Sequence, residues 1–237
     1  MDGLMTTAAA AVVDVWTGSS IAVGGFGLWG GDSTLVKALH DSGVGDLRLV
    51  SDYSGLVGWV LDPLISDGQV RRVLAQDVGE NTEVVKKYLR GELEVELTSR
   101  DTLVHRLRAG GQGVRAFYAP EASVRQTSVG DRPWKHDTAG GVSVVSPRKD
   151  IRRICGAAYT LERGITTDFA LISAWKGDRH GNLIHRESDR ELNHLFALSS
   201  RVTIAEVEEL VEPEDLDPDS VHTPGTLVHR LTVRGPD

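Results

Sequence analysis

The fold is decided by Ile21-Ala22-Val23-Gly24-Gly25-Phe26-Gly27-Leu28-Trp29-Gly30-Gly31-Asp32-Ser33-Thr34. Three apolar residues, two of them β-branched, read as the end of a buried strand. Five glycines then fall within eight positions, which neither a strand nor a helix tolerates. Asp32 and Ser33 can cap a helix whose apolar positions are Leu35, Val36 and Leu39, and Gly43 can end it. The unit is strand, glycine loop, helix. Such a loop brings bare backbone N–H groups to a helix N-terminus, where an anionic or carbonyl group can be held. The spacing is not Gly-x-Gly-x-x-Gly, so a tight turn that merely packs a helix on a sheet explains it equally well.

Working outward, Leu4, Ala8, Val12 and Val15 are near helical spacing, which predicts a first helix within residues 4–16. Leu47–Val50 and Val70–Ala75 read as strands, with a short helix or two turns between Leu56 and Ile65. Asn81 opens a helix with Val84, Val85, Tyr88 and Leu89 on one face, closed by Gly91. Leu93-Glu94-Val95-Glu96-Leu97 alternates strictly and predicts a half-exposed strand. Thr102–Ala109 is a short helix burying Leu103 and Leu107, and a second glycine cluster, Gly110-Gly111-Gln112-Gly113, leads to a strand over Val114–Tyr118. Strand and helix patterns thus alternate through residue 118, which argues a parallel sheet with helices on its faces. Glu121–Arg148 is polar and weakly patterned, an excursion. Strands follow at Asp168–Trp175 and Gly181–His185, with hairpin chemistry between them, then at Arg201–Val211 and Leu227–Val233. Glu212–Ser220 is an acidic surface loop. With no repeat or clear linker, residues 1–237 read as one α/β domain whose C-terminal part is more β-rich.

The 237 residues carry 26 basic and 34 acidic side chains, a net charge of −8. This balance argues against nucleic acid as a partner, and an anionic substrate needs a local basic site to override it. Cys155 is the only cysteine, so an intrachain disulfide and a cysteine metal cluster are both excluded. No apolar run reaches membrane-spanning length and no secretory pattern opens the chain, so the cytoplasm is the expected location.

Several chemistries can be weighed. His180 and His185 could meet across a turn, but no third ligand stands out, and no metal site is expected. No Gly-x-Ser-x-Gly elbow is present. The glutamates at 83, 92, 94, 96, 206, 208 and 209 read as solvated faces, since alternation with Leu and Val accounts for them. Glu80 differs: Val78-Gly79-Glu80-Asn81 puts it on a strand-to-helix turn, where α/β folds build sites. It is a catalytic candidate, set against a plain role at the helix N-terminus.

Val23–Gly30 resembles the signature loop of the alpha subunit in family I coenzyme A transferases, the heteromeric 3-oxoacid type. The likeness continues in order through Val78-Gly79-Glu80-Asn81, Gly91–Thr98, Arg108–Gly111, Ala116-Phe117-Tyr118, Asp168–Leu171, Gly181-Asn182, Ala205–Glu209 and His222–Gly225. It implies a NagB-like open sheet and, as partner, a beta subunit of similar fold in a heterodimer or heterotetramer. It further implies acyl-CoA and a small carboxylic acid as substrates, with CoA consumed and released and no permanently bound cofactor. In that family the nucleophilic glutamate lies on the beta subunit, and a glutamyl–CoA thioester is the intermediate. The alpha subunit supplies the glycine loop beside CoA, which maps onto Gly24, Gly25, Phe26, Gly27, Leu28, Trp29 and Gly30 here.

The departures cluster at strand ends and loops. Gly30-Gly31-Asp32 replaces a Gly-Ile-Pro or Gly-Thr-Pro, Asp52-Tyr53-Ser54-Gly55 replaces an Asn-Asn-Ala-Gly type segment, and Ala119–Arg125 replaces a glycine-rich stretch. Thr98-Ser99-Arg100-Asp101-Thr102 stands where Thr-Pro-Gln-Gly-Thr is usual. Arg100 and Asp101 are therefore candidate substrate residues: Arg100 to pair with a carboxylate, or Asp101 simply to cap the next helix while Arg100 is solvated. A changed pocket wall leaves two alternatives to CoA transfer. One is an enzyme of this fold that hydrolyses, cleaves or cyclises an acyl thioester; the other is a non-catalytic ligand-binding protein.

Overall fold

A computed structural model describes residues 7–24, 33–52, 60–78, 81–120, 130–186 and 192–235. Its centre is a parallel sheet. β1 (Ser20–Val23) lies between β2 (Leu47–Ser51) and β10 (Thr167–Asp178). Outward from β2 come β3 (Val70–Ala75) and β4 (Glu94–Leu97); outward from β10 come β12 (Ser200–Val211) and β13 (Arg230–Val233). Only β11 (Leu183–Ile184) runs antiparallel, folding back on β10 through the predicted hairpin.

The two faces of the sheet have separate cores. Ile21 and Val23 point to one face, with Leu35, Val36 and Leu39 of α2 (Thr34–Asp41), Leu64 and Ile65 of α3 (Asp62–Ser66), and Val84 of α4 (Thr82–Leu89). Ala22 points to the other, with Leu103 and Leu107 of α5 (Arg100–Gly111) and Phe196 of α6 (Asn193–Ser199). The period of two in β1 thus assigns helices to both faces. Gly110 is required by this packing, because a Cβ there would lie 1.8 Å from the Ile165 carbonyl oxygen.

Four expectations change. The first helix is only α1 (Ala8–Ala11), capped by Thr7; Arg230 donates to the Ala11 carbonyl oxygen at 2.7 Å and grips Asp14, ending the helical path at that point. On α4 only Val84 is fully buried; Val85 and Leu89 are exposed. On β4 the alternation fails: Glu96 is buried and Leu97 is 44% exposed. The parallel run also stops at β4. β5 (Ala116–Pro120) leaves the main sheet and pairs antiparallel with β9 (Ala157–Arg163), itself paired with β8 (Ile151–Ile154). The polar excursion holds a further hairpin, β6 (Pro133–His136) with β7 (Val142–Val145).

Candidate functional site

The chain passes to β2 on one side of β1 and later fills the other side with β10, so the strand order reverses at β1. In open α/β sheets ligands lie outside the carboxyl ends of the strands at such a point. The glycine loop begins there. Gly24 ends β1 by donating its N–H to the Leu171 carbonyl oxygen at 2.8 Å. A Cβ at Gly24 would lie 1.7 Å from Asn193 Oδ1, so only glycine lets the loop leave against this buried side chain. Asn193 in turn donates from Nδ2 to the Ser173 carbonyl oxygen at 3.1 Å. Gly25, Phe26, Gly27, Leu28, Trp29 and Gly30 lie outside the described residues, as does Glu80.

The chain re-enters at Ser33, whose Oγ accepts from Val36 N and caps α2 as expected; Asp32 lies outside the described residues. A second group holds this helix start. Glu206 on β12 is fully buried, and its Oε2 accepts from Leu35 N at 3.0 Å, Thr34 Oγ1 at 3.1 Å and Ser33 Oγ at 3.2 Å. Its Oε1 accepts from Arg234 Nε at 2.8 Å. The expectation that Glu206 faces solvent is therefore wrong. A carboxylate at a helix N-terminus meets both the free N–H groups and the positive end of the helix dipole, and four donors offset its desolvation. Alternation alone could not reveal this, because the three partners at the helix start are more than 170 residues away in sequence.

Arg100 and Asp101 open α5 at the end of β4. Ser99, and not Asp101, caps the helix through Thr102 N. Asp101 lies exposed in the first turn. Arg100 is partly exposed but not loose: its Nε donates to Asp52 Oδ2 at 3.3 Å. Asp52 follows β2, so the pair ties together the carboxyl ends of β2 and β4, on the same side of the sheet as Gly24.

The remaining glutamate expectations divide. Glu83, Glu92, Glu208 and Glu209 stay at least partly open to solvent, but Glu96 is buried between Arg72 and Arg106. Burial pushes its carboxyl up, but the two guanidiniums outweigh this and hold it below the usual range. His185 is also buried. Its Nδ1 lies 2.9 Å from the Ser173 carbonyl oxygen and its Nε2 2.9 Å from Thr223 Oγ1. Desolvation drives its pKa down to about 4, against the Ser173 carbonyl and aided by His222 and His194. A neutral ring that donates from Nδ1 and accepts at Nε2 fits both partners. His180 is not brought to it with a third ligand; among the described residues no group of three or more His, Cys, Asp or Glu could hold a metal. No helix among them is long and apolar enough to cross a membrane.

Comparisons with known proteins bear on the family and the fold. The coenzyme A transferase family matches residues 5–234. A Mycobacterium bovis protein, described as the alpha subunit of a probable succinyl-CoA:3-ketoacid coenzyme A transferase, is 53% identical over 98% of this chain and 93% of its own length. The corresponding subunit of the succinyl-CoA:3-ketoacid coenzyme A transferase of Xanthomonas campestris pv. campestris is 41% identical over 91% of this chain and 82% of its own. Among solved structures, glutaconate coenzyme A-transferase from Acidaminococcus fermentans superposes with a TM-score of 0.74 at 20% identity, over 98% of this chain and 75% of that one. At that identity the likeness speaks to the fold alone.

Proposed function

Because this chain belongs to the coenzyme A transferase family, we propose that it is the alpha subunit that, with a beta partner, moves CoA between succinyl-CoA and a 3-ketoacid. The observation that carries this reading is near-end-to-end identity of 53% with a relative bearing that description. Hydrolysis, C–C cleavage or cyclisation, and a purely ligand-binding role, are not favoured beside it.

In this reading residues 1–237 act as one domain in the cytoplasm. The nucleophilic glutamate comes from the partner, in a heterodimer or heterotetramer. The loop from Gly24 to Gly30 lies beside CoA, where backbone N–H groups stabilise the oxyanion formed when the partner's carboxylate attacks the thioester. On either side of that loop, Gly24 packs against Asn193 and the start of α2 hydrogen-bonds to Glu206. Arg100 reads the distal carboxylate of the succinyl group, with Asp52 setting the direction of its guanidinium. Glu80 serves the N-terminal end of α4, where Asn81 is the cap.

The test is co-expression with the neighbouring beta-type chain and an assay of 3-ketoacyl-CoA formed from succinyl-CoA. Transfer by the complex, with a CoA-sized adduct on a glutamate of the partner by mass spectrometry, is the expected result. A well-folded complex that hydrolyses succinyl-CoA without forming the second thioester would overturn it.

A further inference from the structure

The ladder between β1 and β10 stops before β10 does. Val23 pairs with Leu171, and the Gly24 N–H still donates to the Leu171 carbonyl oxygen at 2.8 Å, while β10 runs on to Asp178. In a parallel ladder the acceptors facing one neighbour recur at every second residue, so the Ser173 carbonyl is the next that a longer β1 would use. Side chains already hold it. Asn193 Nδ2 donates to it at 3.1 Å and His185 Nδ1 at 2.9 Å. A carbonyl oxygen has two lone pairs, and these two donors match them.

Both side chains are buried, and each is fixed from a second direction. The Asn193 amide abuts Gly24, where a Cβ would lie 1.7 Å from Oδ1 and 3.2 Å from Ile172 Cγ2. Asparagine stabilises a helix best at the N-cap, yet here Leu192 takes the cap of α6 with no side-chain hydrogen bond and Asn193 stands one residue later. Its amide thus serves the end of β1. The His185 ring is held at Nε2, 2.9 Å from the buried Thr223 Oγ1, and its backbone N–H donates to His222 Nδ1 at 3.0 Å. Well-packed apolar side chains would join these elements at no greater cost. Buried, directional hydrogen bonds instead fix a single arrangement.

We propose that Asn193 and His185 are positioning residues for the transfer reaction: by occupying the Ser173 carbonyl they end the β1–β10 ladder at Gly24 and set where the chain leaves for the glycine loop. In this role neither touches CoA or the acid. The inference rests on the assignment of that loop to CoA.

The test uses this chain in complex with its beta partner and compares His185→Asn, His185→Gln and Asn193→Ala, assayed well below the lowest melting temperature. Asparagine can place its amide nitrogen where Nδ1 was and keep the bond to Ser173; glutamine reaches Thr223 and loses it. The kcat for transfer from succinyl-CoA should stay near the parent's in His185→Asn. It should fall about tenfold or more in His185→Gln and Asn193→Ala, as when reacting groups are misplaced by a distant change. Melting temperatures should not follow that order, because asparagine leaves the larger void and His185→Asn melts no higher than His185→Gln. Adding Gly24→Ala to Asn193→Ala puts a methyl where the amide was and should restore part of kcat. In an active parent, a kcat that follows melting temperature across the variants, or full activity in His185→Gln, would overturn the inference and leave the function standing. A folded parent complex without transfer would overturn both.

Discussion

Arg234 and Glu206 meet at 2.8 Å beneath the start of α2, and Glu206 alone gathers donors from three consecutive residues of that helix start. The carboxylate joins β12 to the chain segment that emerges from the glycine loop. Glu206→Ala removes a fully buried acceptor of four hydrogen bonds. It should destabilise the folded protein by about 3 kcal/mol, softened because Arg234 also lies 3.8 Å from Glu208 and is not fully buried. Urea unfolding measures this. A variant as stable as the parent would show that α2 starts without Glu206.

Gly24 makes a sharper case. Gly24→Ala places a methyl on top of the Asn193 amide, and overpacking of this kind costs roughly 1–3 kcal/mol. Pairing it with Asn193→Ala should return part of that loss, although Asn193→Ala alone destabilises. The double-mutant cycle therefore yields a favourable coupling. Strict additivity would mean the two residues do not touch.

Arg100→Gln tests the substrate reading. The Michaelis constant for a dicarboxylic acceptor should rise by about tenfold, as expected when a charged hydrogen bond is lost, while a monocarboxylic acceptor is spared. Asp101→Gly should leave both unchanged, because Asp101 neither caps α5 nor faces a described partner. Equal effects of Arg100→Gln on both acids would assign the residue to holding Asp52 alone.

His185 gives the protein an acid limit. Its ring is neutral when folded, with a pKa near 4, whereas the unfolded ring titrates near 6.5. The unfolded state therefore binds a proton that the native state refuses. Stability is full above pH 6.5, falls as the pH drops, and stops falling through this group below about pH 4. At about 1.36 kcal/mol per pH unit the whole loss is roughly 3 kcal/mol. Chemical unfolding at pH 7, 6 and 5 should show the slope, and His185→Gln should flatten it. An unchanged slope in the variant would place the acid sensitivity elsewhere.

The sequence made the alternating β/α run legible because each strand to β4 buries apolar residues at a period its neighbours share. The caps at Ser33 and Asn81 and the helix stops at Gly43 and Gly91 were legible for the same local reason. The strands from 133 to 163 were not. Every residue of Ile151–Ile154 is exposed, so no buried face imprints a period on the sequence. Glu96 and Glu206 misled for the opposite reason: each looks like an ordinary polar position in an alternating strand, and only distant arginines and a helix terminus explain their burial. The end of β1 and the Ser33 cap that flank the candidate loop were legible, but not the buried Asn193 and Glu206 that pack against them.

The strand order also dictates when the protein can finish folding. Residues 20–97 can assemble four parallel strands as soon as they leave the ribosome, yet β1 then has one bare edge. Its second partner, β10, begins 147 residues after β1 begins and closes the longest gap in the sheet. Until it arrives, Ser20–Val23 presents unpaired backbone groups beside apolar side chains, the situation that favours pairing with a foreign strand. Distant pairings of this sort are slow to form. Of the first three strands, the one that leads into the glycine loop is thus the last to be sealed from both sides. Nascent chains stalled before residue 167 should be the ones that chaperones hold.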